Sequence, residues 1–238
     1  MDLKETDILG EQIANHWYYR SKAAAVAKLL GPVGPTAILD VGAGSGFFSR
    51  YLLERTEATQ AWCLDTGYPA DFDSQASGKP IRFRRSIDSC AADLVLLMDV
   101  LEHVEDDTGL LVDSVRKVPP GARILVSVPA FQFLWSGHDE FLEHKRRYTL
   151  RRLERTMERA GLTVERGCYF FGFVFPLAMA TRLAGKWPGS AQDTRQSQLK
   201  QHGHLANRIL SLICRAELPV LPFNRLAGLT VFCLARRP

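Results

Sequence analysis

Asp40-Val-Gly-Ala-Gly-Ser-Gly-Phe-Phe48 decides how this chain is read. A short apolar run, Ala37-Ile-Leu39, precedes it, and an amphipathic stretch from Phe47 to Leu53 follows. The pattern is that of a buried strand, a glycine turn and a helix. Gly42, Gly44 and Gly46 remove side chains where the backbone turns sharply and lets a ligand come close. The start of the helix adds free N–H groups facing the same spot. Asp40 places a carboxylate just before the first glycine.

Working outward, Thr59-Gln-Ala-Trp-Cys-Leu-Asp65 reads as a second strand ending in an acid. In open α/β sheets ligands sit beyond the carboxyl ends of the strands. An acid in that place, about twenty residues past the glycines, can accept both hydroxyls of a ribose. Asp65 is therefore the leading cofactor residue. Ala91-Ala-Asp-Leu-Val-Leu-Leu-Met-Asp99 is a buried strand, followed by Val100-Leu-Glu-His-Val-Glu-Asp-Asp107. The glycine spacing is G-x-G-x-G, which disfavours the G-x-G-x-x-G loop of nicotinamide dehydrogenases.

The glycine motif with its Asp40, and the string from Asp93 to Val104, together resemble class I S-adenosylmethionine (SAM) methyltransferases of the small-molecule and quinone-like type 11/12 branch. The resemblance covers roughly residues 17–162. It implies SAM as cofactor. It implies that Asp40, Gly42, Gly44 and Gly46 shape the methionine site. Met98, Asp99 and Leu101 would line the methyl-transfer end. Asp88, in Ser86-Ile-Asp88, lies where such proteins place an acid against adenine, although it can equally cap a turn. An N-terminal string like His16-Trp-Tyr-Tyr-Arg20 covers the cofactor in similar proteins. That reading gives Tyr18 a place against the sulfonium, worth ~0.5–2 kcal/mol, and gives Arg20 the methionine carboxylate. Plain core packing of these aromatics is the competing reading. His103 is either a hydrogen-bonding group of its turn or a general base.

The stretch Pro129 to Thr149 follows the fifth strand, Arg123 to Pro129, and faces the same crevice. It carries Trp135, His138, Asp139, His144, Arg147 and Tyr148. Similar proteins have a comparable W-S-x-H-D…H-x-R-R-Y string. Either these groups hydrogen-bond one another and hold a long loop, or they work on the acceptor. In the second case His138 or His144 takes a proton, Tyr148 assists, and Trp135, Asp139 and Arg147 orient the substrate. Three metal ligands can be assembled from His138, Asp139 and His144, but no tight metal spacing supports them and no metal is expected.

Bulk properties set the limits. The chain has 238 residues, net charge +4 and five cysteines with no C-x-x-C pair. The mild charge and scattered basic clusters give no reason to expect nucleic acid, and no Asn/Asp-Pro-Pro-Tyr string for a flipped base is present. The cysteines read as reduced, mostly buried thiols of a cytoplasmic protein. The charged start gives no expectation of a signal peptide. The longest apolar run, Cys168 to Thr181, falls short of the ~20 residues that span a bilayer.

The expected fold is a single α/β domain over residues 1–238. Its doubly wound, Rossmann-like sheet has about seven strands, mostly parallel with an antiparallel last strand. A helical cap over residues 1–34 precedes the sheet. An apolar, helical insertion over 173–228 interrupts it before the last strand. Residues 71–80 read as a polar loop or short helix, and 186–201 as a mobile polar loop. The expected function is SAM-dependent transfer of a methyl group to an O, N or C nucleophile of a small, apolar or anionic molecule. The insertion reads as a hydrophobic wall of the substrate pocket or as a surface that meets membrane, and with the basic C-terminal end it raises the alternative of a lipid-linked or isoprenoid acceptor at the membrane surface. A non-catalytic SAM-binding accessory protein is a separate alternative. Oligomeric state is left open.

Overall fold

A computed structural model describes residues 13, 15–185 and 203–238. The chain order is α1 (Trp17–Leu30), β1 (Ala37–Val41), α2 (Phe47–Arg55), β2 (Gln60–Leu64), β3 (Phe72–Ala76), β4 (Lys79–Arg84) and β5 (Leu94–Met98). Then follow α3 (Asp107–Arg116), β6 (Arg123–Pro129), α4 (Gly137–Phe141), α5 (Leu150–Arg159), β7 (Thr163–Phe170), α6 (Phe175–Gly185), α7 (His204–Glu217) and β8 (Thr230–Arg236).

The sheet runs β3-β4-β2-β1-β5-β6-β8-β7. β1 pairs in parallel with both β2 and β5. The strand order therefore reverses around β1, and the crevice opens beyond the carboxyl ends of β1 and β5. β8 lies antiparallel between β6 and β7, as expected for the closing strand.

Strand alternation sorts the apolar residues onto two faces. On β5, Leu94, Leu96 and Met98 join one core with Tyr19, Val26 and Leu29 of α1 and Phe48 and Leu52 of α2. Val95 and Leu97 join the other core with Leu111 and Val115 of α3 and Leu153 and Met157 of α5. Buried on both sides, β5 reads as an unbroken apolar run in the sequence and β1 as one broken only by Asp40.

Two expectations need correcting. The sheet has eight strands rather than about seven. The extra strand, β3, lies in the stretch expected to be a loop, and it pairs antiparallel with β4. Ser77 and Gly78 both take positive φ, 51° and 73°, which is the geometry of a two-residue hairpin turn. β3 is a largely exposed edge strand, so it has no apolar alternation to betray it. The first described helix, α1, begins at Trp17, with the His16 side chain accepting from Tyr18 N. Residues 1–12 of the expected cap and the polar stretch 186–201 lie outside the described residues.

All five cysteines are free thiols, four buried and Cys90 half-buried. The insertion contributes α6, α7 and a 3-10 turn at Leu221–Phe223. The fully buried Glu217 of α7 accepts from Gly172 N at 2.8 Å and Phe173 N at 3.2 Å, tying the insertion to the end of β7.

Candidate active site

The glycine turn after β1 is held from the strand beside it. Gly42 N donates to Leu64 O at 2.7 Å and Gly44 N to Asp65 Oδ2 at 3.0 Å. The other oxygen of Asp65 accepts from Gly67 N at 2.9 Å. Tyr68 closes the loop by donating to Gly44 O at 2.7 Å. Asp65 is thus fixed at the mouth of the glycine turn, half-exposed toward the crevice. Each of its oxygens keeps a lone pair for a further donor. Asp40 is buried below, where Ser49 Oγ donates to it at 2.8 Å. Burial pushes the Asp40 carboxyl up to about 6, against the lowering effect of Ser49.

Gly42 combines a left-handed backbone with a close neighbour. Its φ is +67°, and a Cβ there would stand 2.6 Å from Val100 Cγ2. Left-handed backbone costs an ordinary residue ~1–2 kcal/mol, and overpacking adds ~1–3 kcal/mol. Gly42→Ala is therefore expected to lower the melting temperature by roughly 4–20 °C. Val100→Ala in the same chain should recover part of the loss. A single variant melting with the parent would refute the close approach.

At the end of β5 the chain makes a second sharp turn. Asp99 has φ 57°, a conformation that Asp tolerates better than most residues. Its carboxylate accepts from the Lys22 ammonium and from Ser127 Oγ, the latter at 3.3 Å. Lys22 is fully buried in α1. Burial pulls its ammonium down, but Asp99 outweighs that and holds it above the ordinary lysine value. Glu102, three residues on, is also fully buried. Neither of its carboxylate oxygens has a hydrogen-bond partner among the described residues. Burial, and then the Asp99 charge, push its pKa well above the usual carboxylate range.

The loop after β6 is organised on Asp139, which is 0% exposed. Arg147 grips it with two bonds, Nε to Oδ1 at 2.7 Å and Nη2 to Oδ2 at 2.9 Å. His144 Nδ1 lies 2.9 Å from Oδ1, and Ser136 N donates to Oδ2 at 2.9 Å. Arg147 also donates to Ala130 O at 3.1 Å, which pins the loop to the end of β6. Burial alone would raise the Asp139 carboxyl, but the bonds from His144 and Arg147 hold it well below the usual range. The Tyr148 hydroxyl donates to Asp107 Oδ2 at 2.7 Å and lies 3.2 Å from Leu101 O, so it straps the loop onto the turn after β5.

This strap brings His144 to His103, with ring centroids 4.8 Å apart and nearly perpendicular. Glu102, His103 and His144 each place a ligand-type atom within 4.8 Å of the others. The set weighed from sequence, His138 with Asp139 and His144, is not the one that gathers, because Asp139 is spent on Arg147 and His144. Burial lowers the His138 imidazole to about 4. It is therefore neutral and weakly basic near pH 7, a poor match for a general base.

Of the remaining expected residues, Met98 and Leu101 are buried at the end of β5 and in the turn after it. Tyr18 is half-buried and stacks on Phe171, 5.1 Å between centroids. Trp135 is half-buried, and Asp88 and Arg20 are exposed. The inward-facing cation of α1 is Lys22, which the sequence reading passed over.

These features define an open α/β sheet whose polar groups converge at its switch point. Comparison supplies the family. Residues 14–166 match the model described as "Methyltransferase domain", and the chain belongs to that methyltransferase family. It is 28% identical over 148 residues to an uncharacterized methyltransferase of Mycobacterium tuberculosis H37Ra, covering 53% of this chain and 56% of that protein. The chain thus spans little more than half the length of the curated relative it matches.

Among solved structures, one resembles a chain in the complex between the Haloferax volcanii Trm112 methyltransferase activator and the putative methyltransferase. It has a TM-score of 0.59 at 16% identity, covering 100% of this chain and 99% of that one. Haemonchus contortus phosphoethanolamine N-methyltransferase 2, in complex with S-adenosyl-L-methionine, gives 0.55 at 14% identity, covering 100% and 60%. At these identities the structural likeness speaks for the fold.

Proposed function

We propose that the chain is a SAM-dependent methyltransferase acting on a small acceptor at the carboxyl edge of the sheet. The observation that carries this reading is Asp65, fixed against Gly44 N at 3.0 Å beside the glycine turn. The glycine turn takes the methionine end and Asp65 the ribose hydroxyls. Asp99 and Met98 stand at the sulfonium end, and Tyr18, stacked on Phe171, supplies an aromatic face nearby. The acceptor's proton is handled at the corner of Glu102, His103 and His144. Methyl transfer is an in-line displacement, so positioning does most of the work and can supply about 7–11 kcal/mol. Arg20, exposed on α1, is left out of this assignment, and so is the exposed Asp88. The test is calorimetry with S-adenosylhomocysteine (SAH), for which one site per chain is expected. Absence of binding at millimolar ligand would sink the reading.

A second reading concerns the acceptor. Leu205, Ile209 and Leu212 of α7 are exposed by 73%, 48% and 60%, in an i, i+4, i+7 stripe. Leu177 of α6 and Phe223 are exposed by 68% and 79%. No helix among the described residues is long and apolar enough to cross a membrane. An exposed apolar stripe beside Arg208 and Arg215 suits a helix lying on a lipid surface, which favours a lipid-linked acceptor. Flotation with anionic liposomes is expected to carry the chain upward, and replacing Leu205, Ile209 and Leu212 with Ser should abolish it. A parent chain that stays at the bottom of the gradient removes this reading.

A further inference from the structure

We propose that Glu102, His103 and His144 form a divalent-cation site that holds the oxygen of a hydroxyl-bearing acceptor. The chemistry assigned to the ion rests on the methyl-transfer reading above, whereas its location does not.

The three side chains come from two separate segments. Glu102 and His103 lie in the turn after β5, and His144 in the loop after β6. One ligand-type atom from each lies within 4.8 Å of the others. Ligands at about 2.1 Å from a common ion in tetrahedral geometry stand about 3.4 Å apart, so binding needs only a modest drawing together.

Glu102 gives the independent reason to place a cation here. It is 0% exposed and its two oxygens have no hydrogen-bond partner among the described residues. A buried carboxylate with no hydrogen-bonded counter-charge is costly. The nearby Lys22 ammonium is bonded to Asp99 instead. A metal ion would supply Glu102 with both charge and coordination.

His144 is prepared as metal-binding histidines are. Its Nδ1 is held by Asp139 at 2.9 Å, and Asp139 is itself gripped by Arg147. A carboxylate behind the imidazole fixes the ring and raises its basicity as a ligand, leaving Nε2 for the ion. Two imidazoles and one carboxylate suit Zn, Mn, Co or Fe(II) better than Mg or Ca. Three protein ligands leave a coordination position open.

An acceptor hydroxyl in that position would ionise more readily than it does free. Its proton leaves to solvent. The oxygen then bonds the methyl carbon as the carbon–sulfur bond breaks, and the sulfonium departs as a neutral thioether.

The test is direct metal binding. The chain is stripped with EDTA and titrated separately with Mn(II), Zn(II) and Co(II), reading bound metal by elemental analysis and Co(II) by its visible bands. One ion per chain is expected. Glu102→Gln and His144→Ala should each weaken binding at least tenfold, and Asp139→Asn roughly 10–100-fold. SAH calorimetry on every variant reports whether the fold and the cofactor site survive. A chain that binds SAH but takes up no metal at micromolar concentration overturns the site, and so does undiminished uptake by Glu102→Gln. Metal binding without SAH binding upholds the site and sinks the methyl-transfer reading instead.

Discussion

Asp65→Ala is expected to weaken SAH binding by roughly 100-fold or more. A hydrogen bond to a charged group is worth about 1.5–3 kcal/mol, and a ribose offers two hydroxyls to one carboxylate. Losing both gives at least that factor, at about 1.4 kcal/mol per tenfold. The same substitution removes the acceptor for Gly44 N and Gly67 N, so the glycine turn also loses its brace. Asp65→Asn separates the two effects. It keeps the shape and one acceptor oxygen but not the charge, and should fall between parent and alanine variant. If calorimetry puts the alanine variant within about threefold of the parent, the ribose is held elsewhere.

The parts of this site that the sequence disclosed are those made by adjacent residues. The β1 turn shows itself because three positive-φ glycines follow a strand buried on both faces. Asp65 shows itself because a parallel strand must end at the same edge. What the sequence hid is what pairs over long distances. Lys22 looks like any solvated lysine of an Ala-rich helix, yet its partner is Asp99, 77 residues away.

The signal for Lys22 was present. Tyr19, Lys22, Ala23, Val26 and Leu30 recur at helical spacing and are all buried, whereas Arg20 falls off that face. Glu102 was hidden differently. Inside Val-Leu-Glu-His-Val it passes for an ordinary turn acid, and only burial marks it out. The Trp135 to Tyr148 string was visible as a concentration of polar groups. Which of them support and which face the crevice depended on Asp139 gathering Arg147, His144 and Ser136 around itself. β3 escaped because an exposed hairpin edge carries no periodic apolar signal.

Asp139→Ala should have the larger effect on stability and the more general consequence for the site. Removing one member of a buried ion pair strands the other, at a cost of about 3–5 kcal/mol. Here it would leave the Arg147 guanidinium, only 5% exposed, without its carboxylate. For a chain of this size the melting temperature should fall by roughly 6–20 °C. Asp139→Ala with Arg147→Met removes both charges and should recover part of that loss.

The pH dependence follows from the sign of the shift. The Asp139 carboxyl is depressed in the folded chain, so its stabilisation is complete above the unfolded carboxylate value near 3.8 and is lost as pH falls further toward the folded value. Differential scanning calorimetry should therefore find a wide gap between parent and Asp139→Ala at pH 7, narrowing below pH ~4. A gap of less than about 2 °C at pH 7, or one that does not narrow in acid, would mean that the ion pair does not hold this loop. Because the same carboxylate orients His144, loss of the pair should also separate His144 from His103. A variant that stayed folded should then lose turnover more than SAH affinity, since Asp65 and the glycine turn lie on other strands.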